Sequence, residues 1–410
     1  MRLAFVDLLF SWPPNGGADV DLFHVASGLR DLGHDVRLFV VHEEGSWERG
    51  ALEPEGFSLA ATRIDIPAGG LSHATVCARI KAAVDTWRPD VVFLCDGYFL
   101  KPHVALALAQ YPLVLRYYAH EMACHRDILR FKDGAVCPNA YVRTPDVCRQ
   151  CAIEFHREPL RRMELNAWRA EYLAAKAYAP SYHAIAKEAL RKARAGIVYN
   201  PGMARLLEPQ CTRTLVVPGG VDADYFAYAP PEVRGPAEPK RLFMPGRAED
   251  PAKGFAVLVE ACEKLRAERE DFELAVTLPQ DLCEVDFVCA LGWVDREELR
   301  ILYHEADVVI VPSVWEEPFG LVAVEAMACG RPVCASRVGG LQDIVAHTET
   351  GFLFDRGDAA ELAKQLSLLL DNPALRTQMG QAARRRVEEH YTWPQIIARY
   401  YEPLLQSLSA

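Results

Sequence analysis

The chain has 410 residues, half of them hydrophobic and a quarter charged, with a formal net charge of −11. That length accommodates two domains of about 200 residues with sizeable cores, and the acidic balance excludes nucleic acid as the main partner, because a phosphate backbone is repelled outside a local basic patch. No window holds about 18 uninterrupted apolar residues, so no transmembrane helix is expected; the twelve cysteines, in a chain read as cytoplasmic, are free thiols or metal ligands rather than disulfides.

In chain order, MRLAFVDLLF reads as a first strand: Asp7 interrupts the apolar run and no small-residue cleavage site follows, which argues against a signal peptide. The turn SWPPNGG, a helix ending at Gly33 and the strand DVRLFVV complete a βαβ unit. The turn lacks G-x-G-x-x-G spacing, which counts against a nicotinamide-dependent dehydrogenase. Helix and strand alternate again through IKAAVDTWRPDVVFLCDGYF and VLRYYAH, which ends at His120. Open α/β sheets bind ligands beyond the carboxyl ends of their strands, so a polar residue there is well placed. Residues 156–195 have a helical pattern broken at Pro159 and Pro180, with nine Lys and Arg side chains interleaved with four acids. This predicts a solvated helix face, with an anionic membrane or a charged acceptor as the alternative partner. The Pro-rich APPEVRGPAEPK is a linker, and RLFMPGR opens a second α/β half at Lys240.

The stretch VPSVWEEPFGLVAVEAMACGRPV, Val311 to Val333, reads as a strand end, a tight turn and a helix. Gly320 opens an apolar helix from Leu321 to Cys329, stopped by Gly330 and Pro332. Glu325 is the one charge inside it. Burying a polar group without partners costs about 2–7 kcal/mol, so Glu325 needs donors, from a core Arg or from the hydroxyls of a ligand. Backbone N–H groups after Pro318 point out of the helix N-terminus, where a phosphate is favoured, with Glu317 and Glu325 flanking it.

The segment EPFGLVAVE, Glu317 to Glu325, followed by AMACGRPV and the VGG turn at Val338 to Gly340, resembles the E-x7-E signature of the family 4 retaining glycosyltransferases. The resemblance implies the GT-B fold: α/β, two doubly wound Rossmann-like domains facing a central cleft. Residues 1–228 would be an acceptor-binding domain with a cysteine-rich insertion at about 121–155, 229–239 a linker able to act as a hinge, 240–392 the nucleotide-sugar-binding domain, and 393–410 a helix returning to the first domain.

The same resemblance assigns roles. Gly16 and Gly17 let backbone approach the donor phosphates and the acceptor, and His120 faces the reacting sugar. Arg247 and Lys253 sit in GRAEDPAKG, one residue longer than the family's G-R-x-x-x-x-K-G, and stabilise the departing diphosphate. Gly292, Trp293 and Val294 hold the nucleotide base; Phe319, Gly320 and Leu321 offer N–H groups; Glu325 takes the ribose hydroxyls and Glu317 those of the sugar. The implied reaction transfers a hexosyl group from a UDP- or GDP-sugar to a hydroxyl of a glycan, lipid-linked or small-molecule acceptor, with retention. In the family's same-face attack the leaving phosphate receives the acceptor proton, so Glu317 is a binder and stabiliser rather than a nucleophile. No catalytic divalent metal is implied; the D-x-D spacings at Asp19 and Asp21 and at Asp222 and Asp224 read as a helix start and a turn. The protein would be cytoplasmic, peripheral at most at the inner membrane face through 156–195. The rival readings are another GT-B activity, a nucleotide-sugar epimerase or phosphorylase, and a non-catalytic, metal-ordered carbohydrate-binding protein.

The insertion places Cys124, Cys137, Cys148 and Cys151 within 28 residues. Cys148-x2-Cys151 has zinc-ligand spacing, and four thiolates would close a tetrahedral structural site with His125 as a spare ligand. An iron–sulfur cluster and unmetallated thiols stay open as alternatives, since the 12-residue first gap is irregular for a zinc ribbon.

Overall fold

The computed structural model describes residues 1–44, 50–53, 55–208, 210–230, 235 and 238–409. The chain divides into two compact units, residues 1–132, 137–218 and 397–410 in the first, and 133–136 and 219–396 in the second. The expected linker at 229–239 lies largely outside the described residues, at 231–234 and 236–237.

In the first unit the strands are β1 (Arg2–Asp7), β2 (Asp35–Glu43), β3 (Ala60–Ile66), β4 (Val91–Leu94), β5 (Leu113–Arg116), β6 (Phe131–Lys132), β8 (Ala195–Val198) and β9 (Thr214–Val216); the short strand β7 (Ala135–Val136) of the insertion is grouped with the second unit. The main sheet runs β3-β2-β1-β4-β5-β8-β9 with parallel pairs. Strands such as VVFL and LVLR are buried along their whole length, as a parallel sheet covered on both faces requires. The helices are α1 (Gly17–Asp31), α2 (His73–Trp87), α3 (Lys101–Ala107), α4 (Pro145–Arg161), α5 (Ala167–Ala174), α6 (Tyr182–Lys192) and α7 (Pro201–Leu207). Ser72 caps α2, its hydroxyl accepting from the Thr75 N–H at 3.2 Å.

Two local expectations need correction. Pro159 does not break its helix: α4 runs on to Arg161. The ring removes one hydrogen bond close to the helix C-terminus, leaving open the carbonyl of Phe155, a residue that is itself exposed. And β5 stops at Arg116, so His120 lies in the turn beyond the strand rather than at its last position.

The chain's last stretch, a π-helical turn at Ile397–Tyr401 followed by Glu402–Ser409, belongs to the first unit. Gly28 on α1 leaves the space that Ile397 fills: a Cβ there would lie 2.1 Å from Ile397 Cδ1.

The second unit repeats the architecture with β10 (Lys240–Met244), β11 (Phe272–Val276), β12 (Val288–Ala290), β13 (Val308–Val311), β14 (Val333–Ser336) and β15 (Gly351–Phe354), ordered β12-β11-β10-β13-β14-β15 and parallel. Its helices include α8 (Phe255–Arg266), α9 (Arg296–Glu305), α10 (Leu321–Ala328), α11 (Leu341–Ile344), α12 (Ala359–Asp371) and α13 (Pro373–His390). Leu242, Leu258, Leu274, Ile310, Phe354 and Leu366 share one core between the sheet and its helices. In each sheet the strand order reverses beside the first strand, between β1 and β4 and between β10 and β13. Crevices that take ligands form at such switch points, outside the carboxyl ends of the strands.

Candidate functional site

In the second unit two loops leave the switch point. The one after β10 turns through Pro251–Lys253, started by Asp250, whose carboxylate accepts from the Ala252 N–H at 2.9 Å. Gly254 follows at φ +80°, and a Cβ there would meet the Pro312 carbonyl oxygen at 1.9 Å. Only glycine both adopts this conformation cheaply and lets the loop lie flat on the backbone after β13.

That close approach brings together Lys253 and Glu317, 64 residues apart. Lys253 Nζ donates to both Glu317 carboxylate oxygens at 3.0 Å. Ser313 Oγ (3.0 Å) and Trp315 Nε1 (2.8 Å) also donate to Glu317, and the Lys253 ammonium lies 5.0 Å from the Trp315 ring centroid. One carboxylate therefore collects three side-chain donors on a largely buried floor. From the other side Gly340 N–H donates to the Glu317 carbonyl at 2.8 Å, and a Cβ on Gly339 would meet that carbonyl oxygen at 2.0 Å, so the VGG turn clamps the backbone of the motif. Glu316 ties in the same turn, accepting from Gly339 N–H at 3.1 Å and pairing with Arg356.

Glu325 is buried on α10, and its partner is not a core Arg: Tyr303 on α9 donates its hydroxyl to Oε2 at 3.0 Å. Burial pushes the Glu325 carboxyl up to about 7, opposed by the Tyr303 hydrogen bond and the charge of Arg296. α10 opens at Gly320, φ +114°; the Ala323 N–H donates to the Gly320 carbonyl at 3.0 Å, and the N–H groups of Leu321 and Val322 have no carbonyl one turn earlier in the helix. Phe319, the residue before Gly320, is buried, its ring 6.1 Å from that of Tyr391. Gly292, at φ +74°, starts the turn after β12, and the Trp293 side chain stands out of it 82% exposed. Arg247 is exposed in the β10 loop and does not join the Lys253–Glu317 cluster.

The remaining predicted residues lie in the first unit. Gly16, extended at φ −171°, precedes α1, which starts at Gly17; a Cβ at Gly16 would touch nothing, so the protein's own packing does not demand glycine there. His120 is buried, and its carbonyl accepts from the Ala123 and Cys124 N–H groups. Asp21 is engaged by Arg116 at 3.0 Å and by the Tyr199 hydroxyl at 3.1 Å, and Asp19 accepts from the Asn15 N–H at 2.9 Å. Asp222, in contrast, lies in the second unit and holds its turn by accepting from the Tyr225 N–H at 2.9 Å.

Cys124, Cys137, Cys148 and Cys151 are free thiols in one neighbourhood. Burial pushes Cys124 up to about 12 and raises Cys148, with Cys137 and Cys151 adding to the rise at Cys148. They do not form a ligand shell: among the described residues no group of three or more His, Cys, Asp or Glu side chains is set to hold a metal. Cys124 Sγ accepts from the Asp127 N–H at 3.5 Å, and Cys148 Sγ lies 3.6 Å from Thr144 Oγ.

Sequence reasoning did not find Ser313, Trp315 or Tyr303. Ser313 and Trp315 are within the motif already singled out, and their nearness to Glu317 was the available signal; Tyr303 reads as an ordinary core aromatic.

Two doubly wound parallel sheets, each with a switch point, define a GT-B glycosyltransferase fold. Among solved structures the chain resembles sucrose-phosphate synthase from Thermosynechococcus elongatus, with TM-score 0.68 and 22% identity over 100% of this chain and 99% of that one. It also resembles HepE from Anabaena, solved with UDP and glucose, with TM-score 0.65 and 18% identity over 99% and 100%. The family model for Glycosyltransferase Family 4 matches residues 15–225, and that for Glycosyl transferases group 1 matches residues 282–386. The chain belongs to glycosyltransferase family 4. It is 39% identical over 188 residues to D-inositol 3-phosphate glycosyltransferase of Arthrobacter sp. (strain FB24), covering 41% of this chain and 44% of that protein. It is 28% identical over 435 aligned residues to glycogen synthase of Mycobacterium tuberculosis, covering 94% and 91%. The chain thus spans less than half the length of the first of these curated relatives.

Proposed function

We propose that this protein is a retaining hexosyltransferase that uses a UDP- or GDP-sugar and a glycan, lipid-linked or small-molecule acceptor. The observation that carries this reading is Glu317, held by Lys253, Ser313 and Trp315 beside the β10–β13 switch point. Two of the Lys253 N–H donors are spent on Glu317, and the third is left for a donor phosphate. The diphosphate would lie against Lys253, Arg247 and the first turn of α10, with the ribose at Glu325 and the base at Gly292–Val294. The bond between the anomeric carbon and the phosphate oxygen breaks with its electron pair leaving on the diphosphate, where Lys253 stabilises the charge. The acceptor oxygen bonds to that carbon from the same face and passes its proton to a phosphate oxygen. Glu317 grips the sugar's hydroxyls, and His120 keeps its proposed role toward the reacting sugar.

Two further proposals accompany it. The four insertion thiols would take zinc after Cys148 turns away from Thr144. The surface around 156–195 would touch an anionic membrane.

The test of the donor site is a thermal-shift screen with UDP, GDP, ADP and TDP. A nucleotide at 100 times its dissociation constant should stabilise the fold by about 2.7 kcal/mol. A shift with one nucleotide, lost in Arg247→Ala, is the expected result; no shift with any of the four would leave the non-catalytic reading in front.

A further inference from the structure

A half-open pocket enters the first unit between α3, α6 and the start of the insertion. It offers about 370 Å³ of free space counted out to its mouth. Lys101, Glu121, His125, Tyr141 and Tyr98 line it, with Ala186 on α6 among the wall residues.

The polar lining is costly. Lys101 Nζ and Glu121 Oε1 form an ion pair at 3.3 Å with both side chains at most 3% exposed. The ammonium also donates to the Arg116 carbonyl and lies 4.1 Å from the Tyr117 ring centroid. Such a pair is weak evidence for stability, because desolvation offsets most of the attraction. Beside it His125, 3% exposed and stacked on Tyr141 with ring centroids 3.5 Å apart, has an Nδ1 with no hydrogen-bond partner among the described residues. A buried nitrogen left without a partner calls for one.

Ammonium and carboxylate cancel, so the pocket is not built for an ion of either sign: an anion would face Glu121 and a cation Lys101. It presents donors, acceptors and tyrosine faces within reach of one another. We propose that this pocket binds a vicinal diol of a neutral polyol or sugar, the hydroxyls reaching Lys101, Glu121 and His125 while the rest of the molecule lies in the mouth. Its use as an acceptor subsite rests on the transferase reading above; its binding chemistry does not.

The test uses the full-length protein with methyl α-glucopyranoside and sorbitol as neutral probes, and with tetrahydropyran-2-methanol and sodium gluconate as controls lacking the diol or the neutrality. Binding is followed by saturation-transfer NMR, and UDP and GDP thermal shifts are read in parallel. The neutral diols should bind, with both controls at least tenfold weaker. Ala186→Phe, which adds bulk to the wall of the pocket, should weaken diol binding more than tenfold and leave the nucleotide shift unchanged; Ala184→Phe, at an exposed position of the same helix outside the pocket, serves as the folded control. Absence of binding by both neutral probes at tens of millimolar overturns the proposal. So does binding that Ala186→Phe leaves intact, or a variant that loses diol and nucleotide together. A nucleotide shift without diol binding sinks this inference alone, and diol binding without any nucleotide shift sinks the donor reading alone.

Discussion

Trp315 separates two contributions that the Glu317 cluster combines. Its indole N–H donates to the carboxylate, and its face lies under the Lys253 ammonium. Trp315→Phe keeps an aromatic face and removes the hydrogen bond. A hydrogen bond to a charged group is worth about 1.5–3 kcal/mol, so transfer, measured as kcat/KM, should fall about tenfold to a hundredfold. Glu317→Ala should abolish transfer while urea unfolding stays cooperative; unchanged turnover would remove Glu317 from the site.

Glu325 makes a prediction of opposite character. Its carboxyl is raised from an ordinary 4.5 to about 7 because burial disfavours the ionised form. The folded state therefore holds a proton that the unfolded state has released, and stability falls as pH climbs from about 4.5 to about 7, then levels off. Urea unfolding at about pH 5 and pH 8 should show the wild type losing of order 3 kcal/mol relative to Glu325→Gln. A parallel pH dependence in the two proteins would mean that Tyr303 and Arg296 already offset the burial.

At the scale of elements, Gly254 is the hinge of the candidate site. Alanine there carries a Cβ into the Pro312 carbonyl and holds a left-handed backbone, so Gly254→Ala should cost about 1–3 kcal/mol and separate Lys253 from Glu317. The measurement is unfolding together with nucleotide affinity, and both should move. The insertion gives a different kind of test. Purified without chelator, the protein should carry zinc that Cys148→Ser with Cys151→Ser removes, lowering Tm at the same time; if metal content and Tm both stay put, the zinc proposal fails.

The elements also show what a sequence can carry. E-x7-E, the glycines of GRAEDPAKG and the VGG turn are local patterns; at Gly254 and Gly339 the structure shows a backbone approach no side chain tolerates, while a Cβ on Gly246 would meet nothing and only its positive φ favours glycine. The partners of those motifs were not legible. Tyr303 meets Glu325 from another helix, and Lys101 meets Glu121 across β5, so each pair exists only once the sheet has assembled. Pro159 was misread because its cost depends on where the helix ends, which caps downstream decide. The four cysteines were legible as a group and not as a geometry, since thiol direction follows rotamers and neighbours such as Thr144.

For the whole molecule, charge and exposed apolar surface do not follow the average. The chain carries a net −11, yet residues 156–195 hold nine Lys and Arg against four acids. One of those acids, Glu171, is buried and spent on the N–H groups of Tyr98 and Leu100. In the turn between α4 and α5, Met163 is 85% and Leu165 55% exposed, next to exposed Arg161 and Arg162. Among the described residues no helix is long and apolar enough to cross a membrane. Apolar tips among cations are the pattern of an interfacial contact, in which each basic residue near an anionic surface contributes about 1 kcal/mol and shallow apolar insertion adds to it. Glu158, which pairs with both Arg161 and Arg162, opposes this by neutralising part of the patch. Vesicles of phosphatidylglycerol should therefore bind the protein in flotation assays at low salt, with loss at high salt as the Debye length shortens. Phosphatidylcholine vesicles should not. Met163→Ser with Leu165→Ser should weaken flotation without altering the nucleotide shift, and Glu158→Gln should strengthen it. Equal flotation on both lipids, or none on either, would return this face to the solvated helix surface that its interleaved acids first suggested.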